Sequence, residues 1–203
     1  AFYEFHLAGG LERGRPWAEL LARREATTAL ENKIRAIYLA ETGGDQAEVL
    51  RLLDAAWALG ADELCLDDSY FHYYGLAVIA ALREQPEQRE RRLRWAIEHN
   101  QWEELRGGIA PNKRFHYFYL TETYRALGRD EEALAALERI YELDPGYPQA
   151  SMYLGEHFLA VGDAERACEA WQRCVDLAEQ VSRQLGPAHA FSVEVGKVAD
   201  HCR

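Results

Sequence analysis

Residues 114–145 laid over residues 148–179, an offset of 34, are identical at ten of 32 positions. The identities run through both halves of the period. They are Tyr119/Tyr153, Leu120/Leu154, Glu122/Glu156, Ala126/Ala160 and Gly128/Gly162, then Glu131/Glu165, Ala133/Ala167, Ala136/Ala170, Arg139/Arg173 and Leu143/Leu177. Tyr124/Phe158 and Leu137/Trp171 are conservative matches at the same offset. A unit of this length cannot bury its own apolar face, so such units fold by stacking on their neighbours. Composition says which kind of unit it is. Ala, Leu, Glu, Arg and Lys supply 103 of the 203 residues, whereas Val and Ile together supply 14. The unit is therefore helical and the expected fold class is all-α.

Proline and glycine mark the helix boundaries. Proline removes an N–H and clashes with the preceding turn, so Pro86, Pro111, Pro145 and Pro148 stand at edges. Gly43-Gly44, Gly60, Gly128 and Gly162 read as C-terminal stops, and Asp45, Asp130 and Asp163 as the N-caps that follow. The pattern predicts helix pairs at 27–42/46–59, 69–84/87–99, 115–127/131–143 and 149–161/164–181, with short turns that make each pair an antiparallel hairpin. A segment around Trp17 to Arg24 precedes them and a final helix near 188–201 follows.

Residues 114–179 resemble two consecutive tetratricopeptide repeats. Leu120, Tyr124, Gly128, Ala133, Ile140 and Pro145 fall at the signature positions of the first. Leu154-Gly155, Phe158, Gly162, Ala167, Trp171 and Cys174 do so in the second. The first departs from the pattern with Thr121 where the family prefers Gly. The second lacks the closing Pro, having Glu179, so its second helix is expected to run on. Upstream, Tyr74-Gly75 with Ala96, and Gly44-Asp45 with Leu53 and Ala56, are similar to degenerate repeats. The resemblance implies an all-α, right-handed α-solenoid of three to four stacked hairpins with helical ends. As one domain it would comprise an N-terminal segment (1–26), degenerate hairpins (27–99), two clear repeats (114–181) and a capping helix (187–203).

Charge narrows the partners. With 23 basic and 34 acidic residues the formal net charge is −11, which disfavours nucleic acid and anionic membrane surfaces. The longest stretch without a formal charge, 69–82, is too short to span a bilayer. The first ten residues have no basic n-region. The expected location is cytoplasmic, with export as the alternative if a leader was removed before Ala1. Cys65, Cys168, Cys174 and Cys202 form no CxxC pair and read as four buried, reduced thiols.

Catalytic signatures are missing. No nucleophile elbow, phosphate loop or zinc helix occurs, and no two of the seven histidines stand three or four residues apart. No catalytic residue, metal or cofactor is expected. Gly107-Gly108 reads as an interhelical turn, and Asp200-His201-Cys202 as a fraying terminus. The run Glu87, Arg89, Glu90, Arg91, Arg92, Arg94 reads as a solvated face paired at i,i+4, with an anion-binding patch as the minor alternative. An enzyme concealed in the N-terminal half would need His72 held against Asp67 or Asp68.

Two aromatic clusters are more informative. Tyr70, Phe71, Tyr73 and Tyr74 span roughly 160° of helix circumference, and Phe115, Tyr117, Phe118 and Tyr119 spread wider, too wide for one buried stripe. In the family that this chain resembles, the first helix of each hairpin lines a concave groove for partners. That resemblance places Phe115, Phe118, Glu122 and Arg125 of one unit in the groove, with Gln149, Met152, Glu156 and Leu159 of the next. By a weaker alignment it adds His72, Leu76 and Ile79. The set is apolar with carboxylates and lacks the Lys and Asn of carboxylate-clamping members. The reading is a non-catalytic adaptor or assembly protein that binds an apolar or basic segment of a partner protein or peptide. Packing within the solenoid and self-association into a homo-oligomer are the other readings of the aromatics. A regulator that senses a peptide or small ligand within the superhelix is the alternative function.

Overall fold

The structure, a computed structural model, describes residues 26–60, 68–100 and 111–185, together with Pro16, Glu19, Leu20 and Cys202. The helices of these three described stretches are α1 (Ala29–Glu41), α2 (Gln46–Ala58), α3 (Asp68–Ala81), α4 (Pro86–His99), α5 (Pro111–Ala126), α6 (Asp130–Leu143), α7 (Pro148–Ala160) and α8 (Ala164–Leu185). No strand occurs among the described residues, and the expected all-α repeat fold is the one observed.

Local chemistry accounts for the boundaries. Thr28 closes a capping box on α1, its hydroxyl accepting from the Glu31 N–H while Glu31 accepts from the Thr28 N–H. Asp45 caps α2 by accepting from the Ala47 N–H at 3.0 Å, and Asp163 accepts from the Arg166 N–H at 3.1 Å. Asp130 does not play that part. Arg129 is the N-cap, and Asp130 is the first residue of an acidic first turn that suits the positive end of the helix. Gly128 and Gly162 adopt φ of 68° and 86°, the left-handed geometry that ends a helix, which explains their identity at the 34-residue offset. Pro111 opens α5 four residues earlier than its periodicity predicts, and α8 runs on to Leu185 as expected.

The chain forms two compact units, 1–127 and 128–203. In the first, α1 and α2 form a hairpin, α2 packs on α3, and α4 packs on α5. Its core includes Ile37, Leu53, Phe71, Val78 and Leu93, and the buried Tyr70 hydroxyl donates to the Leu53 carbonyl at 2.9 Å. In the second unit α7 and α8 form the hairpin and α6 packs on α7. Phe158, Ala167 and Trp171 form its centre, with Leu134 and Leu154 against them.

Three expectations change. Cys168 on α8 is bonded to Cys202, with Cα atoms 5.5 Å apart, so these two are not reduced thiols and Cys202 is not a loose terminus. Cys174 is free and buried as expected. The basic run of α4 is not merely a solvated face either: Glu90 and Arg94 pair at 3.0 Å, but Arg89 is buried and Arg92 reaches across to α2. Cys65, Asp67, the Gly107-Gly108 turn, most of 1–26 and the 187–201 cap lie outside the described residues.

Candidate functional site

On α5 the helical period sets Phe115, Phe118, Glu122 and Arg125 on one face. Phe115, Phe118 and Arg125 are half-buried and Glu122 is exposed. Opposite them in the helix, His116, Leu120, Thr123 and Tyr124 are buried. All four aromatics of the wide α5 cluster, Phe115, Tyr117, Phe118 and Tyr119, are half-buried, whereas Tyr70, Phe71, Tyr73 and Tyr74 of α3 are all core. Helix α3 brings His72 to Phe115, their rings edge to face at 6.0 Å, and leaves Leu76 exposed one turn further on. Those residues belong to the first unit. In the second unit, Gln149 and Met152 are half-buried on α7, and Glu156 and Leu159 are exposed on the same side of that helix. The Gln149 Oε1 atom is buried and lacks a hydrogen bond.

Beneath this face sits His116. Its Nε2–H donates to the Phe71 carbonyl at 3.1 Å, and Nδ1 is buried with no hydrogen-bond partner. Burial pushes the imidazole pKa down to about 4, so the ring is neutral near pH 7 and serves packing. The residue stands against Gly75, where an added Cβ would lie 3.0 Å from the ring. His72 touches the rings of Tyr73 and Phe115. No group of His, Cys, Asp or Glu side chains suited to a metal occurs among the described residues.

A second concavity lies elsewhere in the first unit. It has a volume of about 440 Å³ and is lined by Asp54 and Trp57 of α2, Tyr74 of α3, and Gln88, Arg91, Arg92 and Trp95 of α4. Arg92 holds Asp54 through two bonds, Nη1 to Oδ1 at 2.6 Å and Nη2 to Oδ2 at 2.9 Å, and its Nη1 also donates to the Tyr74 hydroxyl at 3.1 Å. Burial raises the Tyr74 phenol to about 12 despite the opposing pull of Arg92, so it stays protonated. Burial alone would lower Arg92, but Asp54 and Tyr74 together outweigh it and the guanidinium pKa rises. The Trp57 and Trp95 rings meet edge to face at 4.6 Å, and His99 stacks on Trp95 at 5.0 Å. The sequence reading missed this site. Its signal is a spacing of 38, shared by Asp54/Arg92 and Trp57/Trp95, which marks equivalent positions on the second helices of successive hairpins.

Residues 116–157 match the family model for the tetratricopeptide repeat. A comparison with curated protein sequences gives no match. Among solved structures, the chain is similar to MamA, at TM-score 0.67 and 13% identity over 89% of this chain and 95% of that one. It is also similar to MamA from Desulfovibrio magneticus RS-1, at TM-score 0.63 and 18% identity over 85% and 88%. YrrB, described as a tetratricopeptide-repeat protein with an unusual peptide-binding site, matches at TM-score 0.58 and 18% identity over 91% and 83%. Helical hairpins, glycine stops at the repeat spacing and these likenesses agree: the chain carries a tetratricopeptide repeat and has the tetratricopeptide-repeat fold.

Proposed function

We propose that the protein is a non-catalytic adaptor or assembly factor that holds a segment of a partner protein on the outward faces of its first-in-hairpin helices. The observation that carries this reading is the α5 face. Phe115 and Phe118 are half-buried there rather than sequestered, beside the exposed Glu122, with His72 braced against Phe115. Partly exposed aromatics on a rigid helix make good anchors, since they lose little freedom on binding. Glu122 and Glu156, in a chain of net charge −11, favour an apolar or basic segment over an acidic one. The peptide-binding description of YrrB supports the class of activity. Of the two localisation expectations, the Cys168–Cys202 bond favours the exported one, because disulfides persist in oxidising compartments.

A photo-crosslinking amino acid placed at Phe118, and at the exposed Leu59 as control, tests the reading in host extract. A partner segment crosslinked from position 118 but not from 59, and lost when Glu122→Lys is added to a folded variant, supports it. Adducts only with a second copy of the chain would replace it with self-association. Equal labelling from both positions would remove the groove assignment.

A further inference from the structure

The concavity between α2 and α4 has unspent hydrogen-bonding capacity mainly of one kind. Its charged and phenolic acceptors are engaged: both Asp54 oxygens receive Arg92, and the Tyr74 hydroxyl receives the same guanidinium. Gln88 donates its Nε2–H to Gln85 and keeps its Oε1 open, but most of the other donors are unspent. Among the described residues no hydrogen bond engages the indole N–H of Trp57 or of Trp95, and no carboxylate pairs with Arg91, which is exposed. Of the charged lining residues among those described, Arg91 and Arg92 outnumber Asp54, so this described lining is net positive in a chain of net charge −11. Two indoles and a phenol around a carboxylate would otherwise suit a cation. Here that carboxylate is already held in a two-point bond, and an incoming cation would meet two guanidiniums.

The walls dictate shape. Trp57 and Trp95 stand nearly perpendicular, at 85°, His99 stacks on Trp95 and meets Trp57 edge to face at 5.4 Å, and Tyr74 flanks Trp95 at 5.0 Å. Such fixed aromatic surfaces suit a flat group. The volume of about 440 Å³ lies within the range for small-molecule sites. We propose that this concavity is a binding site for an anionic planar group, an aromatic ring bearing a carboxylate or phosphate. The ring lies against Trp57 and Trp95, and its anion takes the Arg91 guanidinium. Arg92, locked by Asp54 and Tyr74, keeps the two helices in register and shapes the floor. Tyr74 stands about 200° around α3 from His72, so the site uses none of the partner-binding residues and does not rest on that reading.

The chemistry has two sources, a free small molecule or the aromatic C-terminal residue of a peptide. The full chain with ¹⁵N-labelled tryptophan gives five indole signals, with those of Trp57 and Trp95 assigned by Trp57→Phe and Trp95→Phe. It is titrated with 1-naphthoate, phenyl phosphate, the neutral 1-naphthamide, and a tetrapeptide ending in Trp with a free or amidated terminus. The expected result is movement of the Trp57 and Trp95 signals but not that of Trp171. Binding of an anion should be at least about tenfold tighter than its neutral counterpart, about 1.4 kcal/mol. Arg91→Glu should weaken it by a similar factor with unchanged helical signal and Tm, and Arg91→Lys should retain most of it. Tighter binding of the free-terminus peptide than of naphthoate assigns a peptide end, and the reverse assigns a small molecule; either supports the site. Unmoved Trp57 and Trp95 signals at about 5 mM of every anion overturn it. So does equal affinity for naphthoate and naphthamide, or an Arg91→Glu variant that binds as the wild type does.

Discussion

Trp171 lies on Gly155 so closely that no larger residue fits there: a Cβ on Gly155 would stand 2.3 Å from the indole Nε1 and 2.4 Å from Cδ1. The same indole donates to the Met152 carbonyl at 3.2 Å. Removing glycine from a helix interior ordinarily gains about 1 kcal/mol. At this position overpacking costs about 1–3 kcal/mol or more, and the clash with a buried ring puts it at the upper end. Gly155→Ala is expected to lose about 2 kcal/mol in urea unfolding. The preceding repeat has Thr121 and Leu137 at the matching positions, so Trp171→Leu added to Gly155→Ala should restore part of the loss. A stable Gly155→Ala protein with an unmoved Trp171 signal would count against this packing.

Asp54 and Arg92 join α2 to α4 at two points, and both side chains are more than one-third exposed. Solvent screening limits such a pair to about 1 kcal/mol. A double-mutant cycle with Asp54→Asn and Arg92→Gln should give a coupling of that size, shrinking as salt is raised. Arg92→Lys should recover little of it, since an ammonium cannot make the paired contact. A coupling indistinguishable from zero at low salt would leave the contact without energetic weight.

His116 makes the first unit sensitive to acid. Its folded pKa, about 4, lies below the ordinary imidazole value of 6.5 because burial disfavours the charged ring, with the His72 charge a smaller contribution in the same direction. Between those values the unfolded chain binds the extra proton, so stability is full above pH 6.5 and falls as the pH drops toward 4. The loss from this group should be on the order of 2–3 kcal/mol by pH 4. His116→Phe should flatten the stability profile across that interval, whatever its effect at pH 7. An unchanged slope would show that other groups cause the acid loss.

The Cys168–Cys202 bond closes a sequence separation of 34 residues. In oxidised protein, alkylation under denaturing conditions should leave both cysteines protected and Cys174 modified. Reduction should lower the stability of the second unit by about 2–4 kcal/mol. Alkylation of Cys168 and Cys202 without prior reduction would show that the bond does not form.

Most of the helical framework was legible in the sequence, since the signals for it are local. Asp45 and Asp163 cap where their side chains reach nearby N–H groups, and Gly128 and Gly162 stop helices through their own φ angles. The partial exposure of the α5 cluster was legible too, because four aromatics so distributed exceed one buried stripe. The α4 run was legible only in part, in the Glu90–Arg94 pair, because i,i+4 spacing describes one helix alone. Arg92 finds Asp54 38 residues away, and Arg89 is buried by neighbouring structure. A comparison at an offset of 34 passes over the pairs spaced by 38, so the Trp57/Trp95 concavity stayed hidden.

The sequence by itself determined that this protein is helical, where most of its helix ends fall, and that its repeat is tetratricopeptide-like. Period, cap chemistry and glycine geometry act within a few residues and need no partner element. Only the tertiary structure decided that Trp57 meets Trp95, that His116 is sealed against Phe71, and that Cys168 bonds Cys202. Those contacts depend on the register and facing of separate helices. A shift of one residue turns a side chain by about 100° and removes the contact while leaving every local signal unchanged.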